Sequence, residues 1–324
     1  MKAIVCTEWG GPERLRVDTL PDPAPGDGEV AIRVRAAGVN FPDVLIIQRK
    51  YQVRPDLPFV PGSEVAGDVL SVGPGVTGLQ VGQRVIALCR VGAFAEQVVA
   101  PAAACHILPD AVPYETGAAF LLAYGTSWHA LLDRAAAQPG ETLLVLGAAG
   151  GVGLAALDIA RAHGLRAIAA ASSPGKLAAC AAHGASALID YTSENLREAI
   201  ARHTDGRGPD IVFDPVGGPH TEPAFRSIGW RGRHLVIGFA DGAIPALPLN
   251  LMLLKGAALV GVFWGDQVRR EPDRARADAD ALLAMLAAGT LRPLVSATYT
   301  LDRTPQALAD MAARKVIGKI VIIP

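Results

Sequence analysis

Hydrophobic and polar positions follow two rhythms along this chain, and the change between them falls near residue 140. Over the first 110 residues, short apolar runs are separated by Pro/Gly turns. In "EVAIRVRAAGV", Val30, Ile32 and Val34 alternate with Ala31, Arg33 and Arg35, the period of a strand with one buried face. The flanking "PDPAPGDG" and "SVGPGVTGLQVGQRVIAL" carry the turn residues of a compact β-rich domain. Beyond 140, apolar runs recur at 141–146, 166–171, 186–190, 210–214, 233–239 and 257–264. Helices are predicted between the first four, at 152–163, 175–183 and 193–203, with Gly164 and Gly184 as C-terminal stops. Short apolar strands alternating with helices describe a parallel sheet covered on both faces, the doubly wound α/β fold. The tail predicts helices at about 273–288 and 304–314 and a last strand, "GKIVII". It is expected to fold back onto the β-rich domain, because two helices and one strand make a meagre core alone.

The loop after the first of the six runs carries the chemistry. "LLVLGAAGGVGLAALDIARAHG" places Gly147, Gly150, Gly151 and Gly153 between a strand and a helix. A tight glycine turn feeding a helix start with free N–H groups suits a pyrophosphate. Ala148 stands where G-x-G-x-x-G has its first glycine, so the phosphate contacts are expected from Ala149, Gly150, Gly151 and Val152. Further on, "SSPGKL" is not the end of a triphosphate loop. Ala170 occupies the position of that loop's first glycine, and Leu177 follows Lys176 where Ser or Thr is needed. Ser172 and Ser173 end the second strand about twenty residues past the glycine turn, where NAD enzymes place a carboxylate for the ribose 2′-OH. No carboxylate lies between Asp158 and Asp190. Two hydroxyls and Lys176 would accept a 2′-phosphate that an acid would repel, so NADP(H) is expected over NAD(H). Serine and Pro-Gly here also read as a cap of the next helix.

Composition narrows the function classes. The 324 residues are 51% hydrophobic with a formal net charge of −1, and no basic stripe argues for nucleic acid. The apolar region 244–265 is broken by Pro245, Pro248, Asn250 and Lys255, which favours strand and loop over a membrane span. "MKAIVCTEWGG" lacks the apolar run of a signal peptide. The four cysteines are widely spaced with no C-x-x-C, which fits a reduced, cytoplasmic protein. The seven histidines are scattered; Cys105-His106 are adjacent on a predicted strand and face opposite ways, so no metal site is expected. Ser127 and His129 diverge on a helix and make no catalytic triad.

"AAGVNFPDVLI", "VPGSEVAGDVLSVGPGV", "GQRVIAL", "GAFAEQVVAP", "GAAGGVG", "FDPVGG" and the terminal "GKIVII", in this order, span the whole chain. As an ensemble they resemble the medium-chain dehydrogenase/reductase superfamily, specifically its zinc-free NADPH:quinone oxidoreductase branch, related to zeta-crystallin. That resemblance implies a GroES-like catalytic domain from 1–122 and 262–324, a Rossmann NADP(H)-binding domain inserted at 123–261, and a homodimer. It implies an acceptor in the cleft at the strand ends and hydride transfer from NADPH to a quinone. An enone, 2-alkenal or enoyl-thioester is the near alternative, and a non-catalytic NADPH-binding protein the alternative of another class. Asn40 and Ser63 stand where zinc-dependent relatives carry a cysteine and a histidine ligand, and only Cys89 remains of the structural-zinc loop. By the same resemblance Asn40 supplies an amide donor near the acceptor oxygen, Tyr51 lies on the pocket loop, Asp43 lies near the site, and Thr126 contacts the nicotinamide end. Tyr191 falls beside the 2′-phosphate, and Gly238, Phe239 and Phe263 complete the cofactor set. Other readings stand beside these. Asn40 is also a turn residue, Asp43 a helix N-terminal acid, Glu64 half of a buried ion pair, Tyr51 and Tyr191 surface aromatics, and Phe263 a packing residue.

Overall fold

The computed structural model describes all of Met1–Pro324. The chain opens with β1 (Lys2–Val5), β2 (Arg16–Thr19), β3 (Glu29–Gly38), α1 (Phe41–Ile46), β4 (Glu64–Val72), β5 (Arg84–Leu88), β6 (Gln97–Pro101) and β7 (Cys105–Ile107). Helices α2 (Tyr114–Ala118) and α3 (Leu121–Trp128) follow, and α3 runs on as a π-helical segment, His129–Arg134. An alternating stretch then brings β8 (Thr142–Leu146), α4 (Gly151–Ala162), β9 (Arg166–Ala171), α5 (Pro174–Ala182), β10 (Ala187–Asp190), α6 (Leu196–His203) and β11 (Ile211–Asp214). It continues through α7 (Thr221–Ser227), β12 (Arg233–Val236), α8 (Asn250–Lys255), β13 (Ala258–Gly261), α9 (Trp264–Arg270) and α10 (Pro272–Ala287). The chain closes with β14 (Val295–Thr300), α11 (Thr304–Ala312) and β15 (Lys319–Ile323).

Two compact units result: Met1–Leu122 with Pro293–Pro324, and Ala123–Arg292. In the first, a seven-stranded sheet runs β14-β15-β3-β4-β5-β7, with β6 also paired to β3. Along β3, Val30, Ile32 and Val34 are buried and Arg33 and Arg35 exposed as expected, but Ala31, expected on the face of the arginines, is buried too, beside a register shift between Ala31 and Ile32. A bulge between Val34 and Ala36 then shifts the register, so Ala36 and Ala37 are both buried. The last strand of the chain lies antiparallel to β3, pairing Val321 with Gly38 and Ile322 with Ala37. Lys319, two residues before Val321, is thereby carried to the residues that follow β3. Residues near the two ends of the chain meet at this point.

In the second unit the six strands are parallel and ordered β10-β9-β8-β11-β12-β13. That order reverses direction between β8 and β11, the place where such sheets hold ligands. The glycine turn follows β8 there. Several details differ from expectation. The fifth run is a strand only through Val236 and the sixth only through Gly261, so Phe239, Phe263 and Trp264 lie beyond the sheet. Trp264 instead opens α9, and its indole packs where a Cβ on Gly125 would come within 2.4 Å. The boundary expected at 262 falls at Pro293, because α10 belongs to the second unit. Its Ala279, Leu282, Leu283 and Leu286 are buried, Asp278 accepts from Trp128 Nε1 at 3.1 Å, and Arg274 pairs with Asp133 at 2.7 Å. Hydrophobic spacing identified that helix but not its partner. No helix is long and apolar enough to cross a membrane.

Candidate active site

The second unit builds a cradle from its glycines. Gly147 has φ +57°, and a Cβ there would lie 2.7 Å from Val216 Cγ2. A Cβ on Gly153 would lie 2.5 Å from the Ala148 carbonyl oxygen, so this position lets α4 approach the strand end. Gly150 is the N-cap of α4 and no side chain caps the helix. The amides of its first turn therefore have no side-chain acceptor, which suits an anion at a positive helix end. Ala149 is buried; Gly150, Gly151 and Val152 are half-buried.

The neighbouring "FDPVGG" turn is held by its own acid. Asp214 accepts from the amides of Val216 (2.9 Å) and Gly217 (2.8 Å), from the Thr221 hydroxyl (2.6 Å), and faces His234 Nε2 at 3.1 Å. Burial alone would raise its pKa, but the bonds from His234, Thr221 and Gly217 outweigh it and hold the carboxyl below the usual range. Val216 abuts the glycine turn, Gly238 N donates to Asp214 O at 3.4 Å, and Phe239 packs at Gly217. Ala149–Val152, Gly238 and Phe239 thus border one turn.

The expected 2′-phosphate residues also assemble. Lys176 Nζ donates to Ser172 Oγ at 3.0 Å, while Ser173 caps α5 by accepting from Lys176 N at 3.4 Å. The helix-capping reading and the phosphate reading are therefore compatible: Ser173 caps, and Ser172 meets the ammonium. Tyr191 packs against His220 with ring centroids 4.5 Å apart. Thr126 is half-buried on α3, and Phe263 is exposed at the N-cap of α9.

The first unit contains a buried polar cluster. Asn40, Asp43, Glu64 and Lys319 are each at most 5% exposed. Asn40 ends β3's extension and caps α1; its amide N–H donates to Asp43 Oδ2 at 2.8 Å, as the N-terminal-acid reading anticipated. The side chain expected to donate to an acceptor is paired on both sides. Its Nδ2 donates to Glu64 Oε2 (3.2 Å) and Gly38 O (3.4 Å), and its Oδ1 accepts from Lys319 Nζ. Lys319 also donates to Val39 O at 3.0 Å and stands 3.6 Å from Glu64 Oε2, the ion pair considered for Glu64. Leu122 N donates to Glu64 Oε1 at 2.9 Å, and Ser63 Oγ donates to Asp43 Oδ1 at 3.3 Å. Burial raises the pKa of Glu64 and lowers that of Lys319, while Lys319 and Glu64 each partly restore the other. Asp43 is raised by burial to about 7, against the opposing pull of the Asn40 amide, Lys319 and Ser63. Tyr51 packs on the same core, and burial with the Asp43 carboxyl pushes its phenol up.

Lys319 was missed in the sequence because a lysine opening "KIVII" reads as the solvated end of a strand. A lysine followed by four apolar residues, in a chain with a buried Glu64, was the available signal. No three His, Cys, Asp or Glu side chains converge to hold a metal. All four cysteines are buried and none is in a disulfide, and burial pushes Cys89 up to about 12.

Known proteins resemble this chain over its whole length. A GroES-like alcohol dehydrogenase domain model matches residues 26–110, and a zinc-binding dehydrogenase model matches 151–284. A quinone oxidoreductase-like protein 2 homolog of Nematostella vectensis is 37% identical over 99% of this chain and 88% of its own. The Escherichia coli quinone oxidoreductase, solved with NADPH, superposes with a TM-score of 0.93 at 28% identity over the full length of both chains. A mycobacterial protein solved with NADPH gives 0.94 at 33% identity, again over both full chains.

Proposed function

Because the chain belongs to the quinone oxidoreductase branch of the medium-chain dehydrogenase/reductases, we propose that it reduces a quinone with NADPH and without a metal. The observation that carries the cofactor is the pairing of an uncapped glycine turn at α4 with Ser172, Ser173 and Lys176 in place of a carboxylate. NADPH supplies the hydride. The residues around the turn bind its pyrophosphate through the α4 amides, and Ser172 with Lys176 receives the 2′-phosphate. Tyr191, Thr126, Gly238, Phe239 and Phe263 complete the cofactor surface in this reading.

The donor set argues against zinc. At the two positions where zinc-dependent relatives place a thiolate and an imidazole, this chain has Asn40 and Ser63. The Asn40 carbonyl oxygen is already turned to the Lys319 ammonium, and a second cation beside it would meet direct repulsion. A quinone needs no Lewis acid, since the charge it gains is delocalised onto oxygen. What the protein must supply is orientation and a proton.

Two expected results test this reading. Lys176→Ala weakens NADPH binding by about 10–100-fold, the loss of a charge-assisted hydrogen bond, and leaves NADH nearly unchanged. Calorimetric titration with both cofactors checks it; an equal loss for the two would remove Lys176 from the phosphate site. Faster reduction of enones than of quinones in an acceptor panel would move the assignment to a conjugated-carbonyl reductase.

A homodimer is part of the same proposal. Strand β13 ends the parallel sheet with one side of its ladder unpaired, and Leu259 on it is 45% exposed. Leu249 and Leu253 on the preceding segment are each 81% exposed, which is unusual for large apolar side chains. A second copy offering the same strand satisfies both the ladder and the apolar surface. Light scattering is expected to give twice the mass of the 33.6 kDa chain, and Leu259→Lys with Leu253→Glu to give one.

A further inference from the structure

We propose that Ser63 and Asp43 are the proton-delivering pair of this enzyme, with Ser63 handing its hydroxyl proton to the acceptor oxygen and Asp43 replacing it. The inference rests on the reductase reading above and specifies how its proton is supplied. Every hydride accepted by a quinone calls for a proton on oxygen, and the first unit stores one beside a partly open hydroxyl.

The buried cluster has one acid more than it has cations. Asp43, Glu64 and Lys319 are all buried, so the fully ionised set carries two negative charges against one positive. Glu64 is the better partnered acid: Lys319, Asn40 Nδ2 and the Leu122 amide all face it. Asp43 receives the Asn40 amide and the Ser63 hydroxyl and lacks a direct ion pair. The surplus negative charge is therefore removed most readily by protonating Asp43. Its titration near neutrality agrees with this count. The groups facing it are Lys319 from β15, Glu64 and Ser63 at the start of β4, Asn40 at the cap of α1, and Tyr51 beyond α1.

Ser63 is the exit. Among Asp43's hydrogen-bond partners it is the one that is only half-buried, and its Oγ lies 3.3 Å from Asp43 Oδ1. A hydroxyl can accept a proton on one side while releasing its own on the other. When Asp43 takes its proton on Oδ1 the bond reverses, Asp43 donating to Ser63 Oγ and the serine hydrogen turning to the acceptor; in the step, an O–H bond forms at the acceptor oxygen as the Ser63 Oγ–H bond breaks, and the Asp43 Oδ1–H proton restores the serine. The electron pair stays on the reduced acceptor, and water reprotonates Asp43 between turnovers. Lys319 and Glu64 act as positioning residues, because the ammonium fixes which of the two acids is neutral.

Two measurements test the pair. In the cofactor-free chain, carbon-13 titration of the aspartate carboxyls is expected to show one group changing near pH 7 that disappears in Asp43→Asn. In steady state, Ser63→Ala is expected to lower kcat by about 100-fold with a KM for the quinone within about threefold, and to abolish the solvent deuterium isotope effect on the proton step. The pH limb near 7 should vanish from kcat in the same variant. Ser63→Ala turnover within twofold of the parent with that limb intact would overturn the relay, as would loss of the limb in Tyr51→Phe alone. Either result leaves the reductase reading standing. A parent chain that binds NADPH but reduces nothing would sink that reading instead.

Discussion

Lys319→Met is expected to destabilise the folded chain by about 3–5 kcal/mol. The ammonium is buried with three oxygens around it, on Val39, Asn40 and Glu64. Removing it leaves two acids in a closed space with no cation, so Glu64 must take a proton as well as Asp43 to stay there. The double variant Lys319→Met with Glu64→Gln is expected to recover part of the loss, because replacing both partners costs less than stranding one. Urea unfolding of the three chains measures it. A single variant within about 1 kcal/mol of the parent would mean that the ammonium is not needed to hold the acids, since even an exposed pair is worth up to that much.

The same cluster sets a pH dependence with a definite sign. Asp43 has a folded pKa of about 7 against an ordinary value of 3.8, so between those limits the folded chain holds the extra proton. Its contribution to stability is fully present below the unfolded value and is lost as pH rises through about 7. Asp43→Asn should abolish that part of the slope, so the stability of the variant relative to the parent rises across the interval and levels off above it.

The second large effect is on the cofactor. Gly153→Val should weaken NADPH by at least about 100-fold, because the added Cβ meets the Ala148 carbonyl at 2.5 Å and its methyl groups need still more room. That oxygen is backbone in the turn after β8, so α4 must move, and the amides of its first turn move with it. Fluorescence titration with NADPH, beside circular dichroism to confirm folding, reads the effect. Retained affinity in a folded variant would place the phosphates elsewhere. Gly175→Ala is a useful contrast, since nothing lies within 4 Å of a Cβ there.

How far the sequence reached is clearest at particular residues. The parallel sheet was legible because β8 to β11 are continuous apolar runs divided by amphipathic helices, a pattern only a sheet buried on both faces requires. The nucleotide turn was legible because glycine spacing is a local property. Strand ends at Val236 and Gly261 were overestimated because apolar residues continue past them into loops and α9. Helix α10 was expected with the first unit because an amphipathic face says that something covers it, not what; its polar links to Trp128 and Asp133 of the second unit come from far away in sequence. The polar cluster was half visible. Asn40, Asp43 and Glu64 drew notice as departures from or matches to a known pattern, but Lys319 lies 279 positions from Asn40 and meets it only through the pairing of β15 with β3. Non-local pairing of that kind leaves no periodic trace.

Anaerobic turnover of the wild-type chain with NADPH or NADH and 9,10-phenanthrenequinone, counting reduced acceptor per cofactor oxidised, tests NADPH-dependent quinone reduction most directly. The expected result is one hydroquinone for each NADPH, a slower rate when the transferred hydrogen at nicotinamide C4 is deuterium, and a clear preference for NADPH over NADH. Tight NADPH binding with no oxidation by this or any other quinone would contradict it.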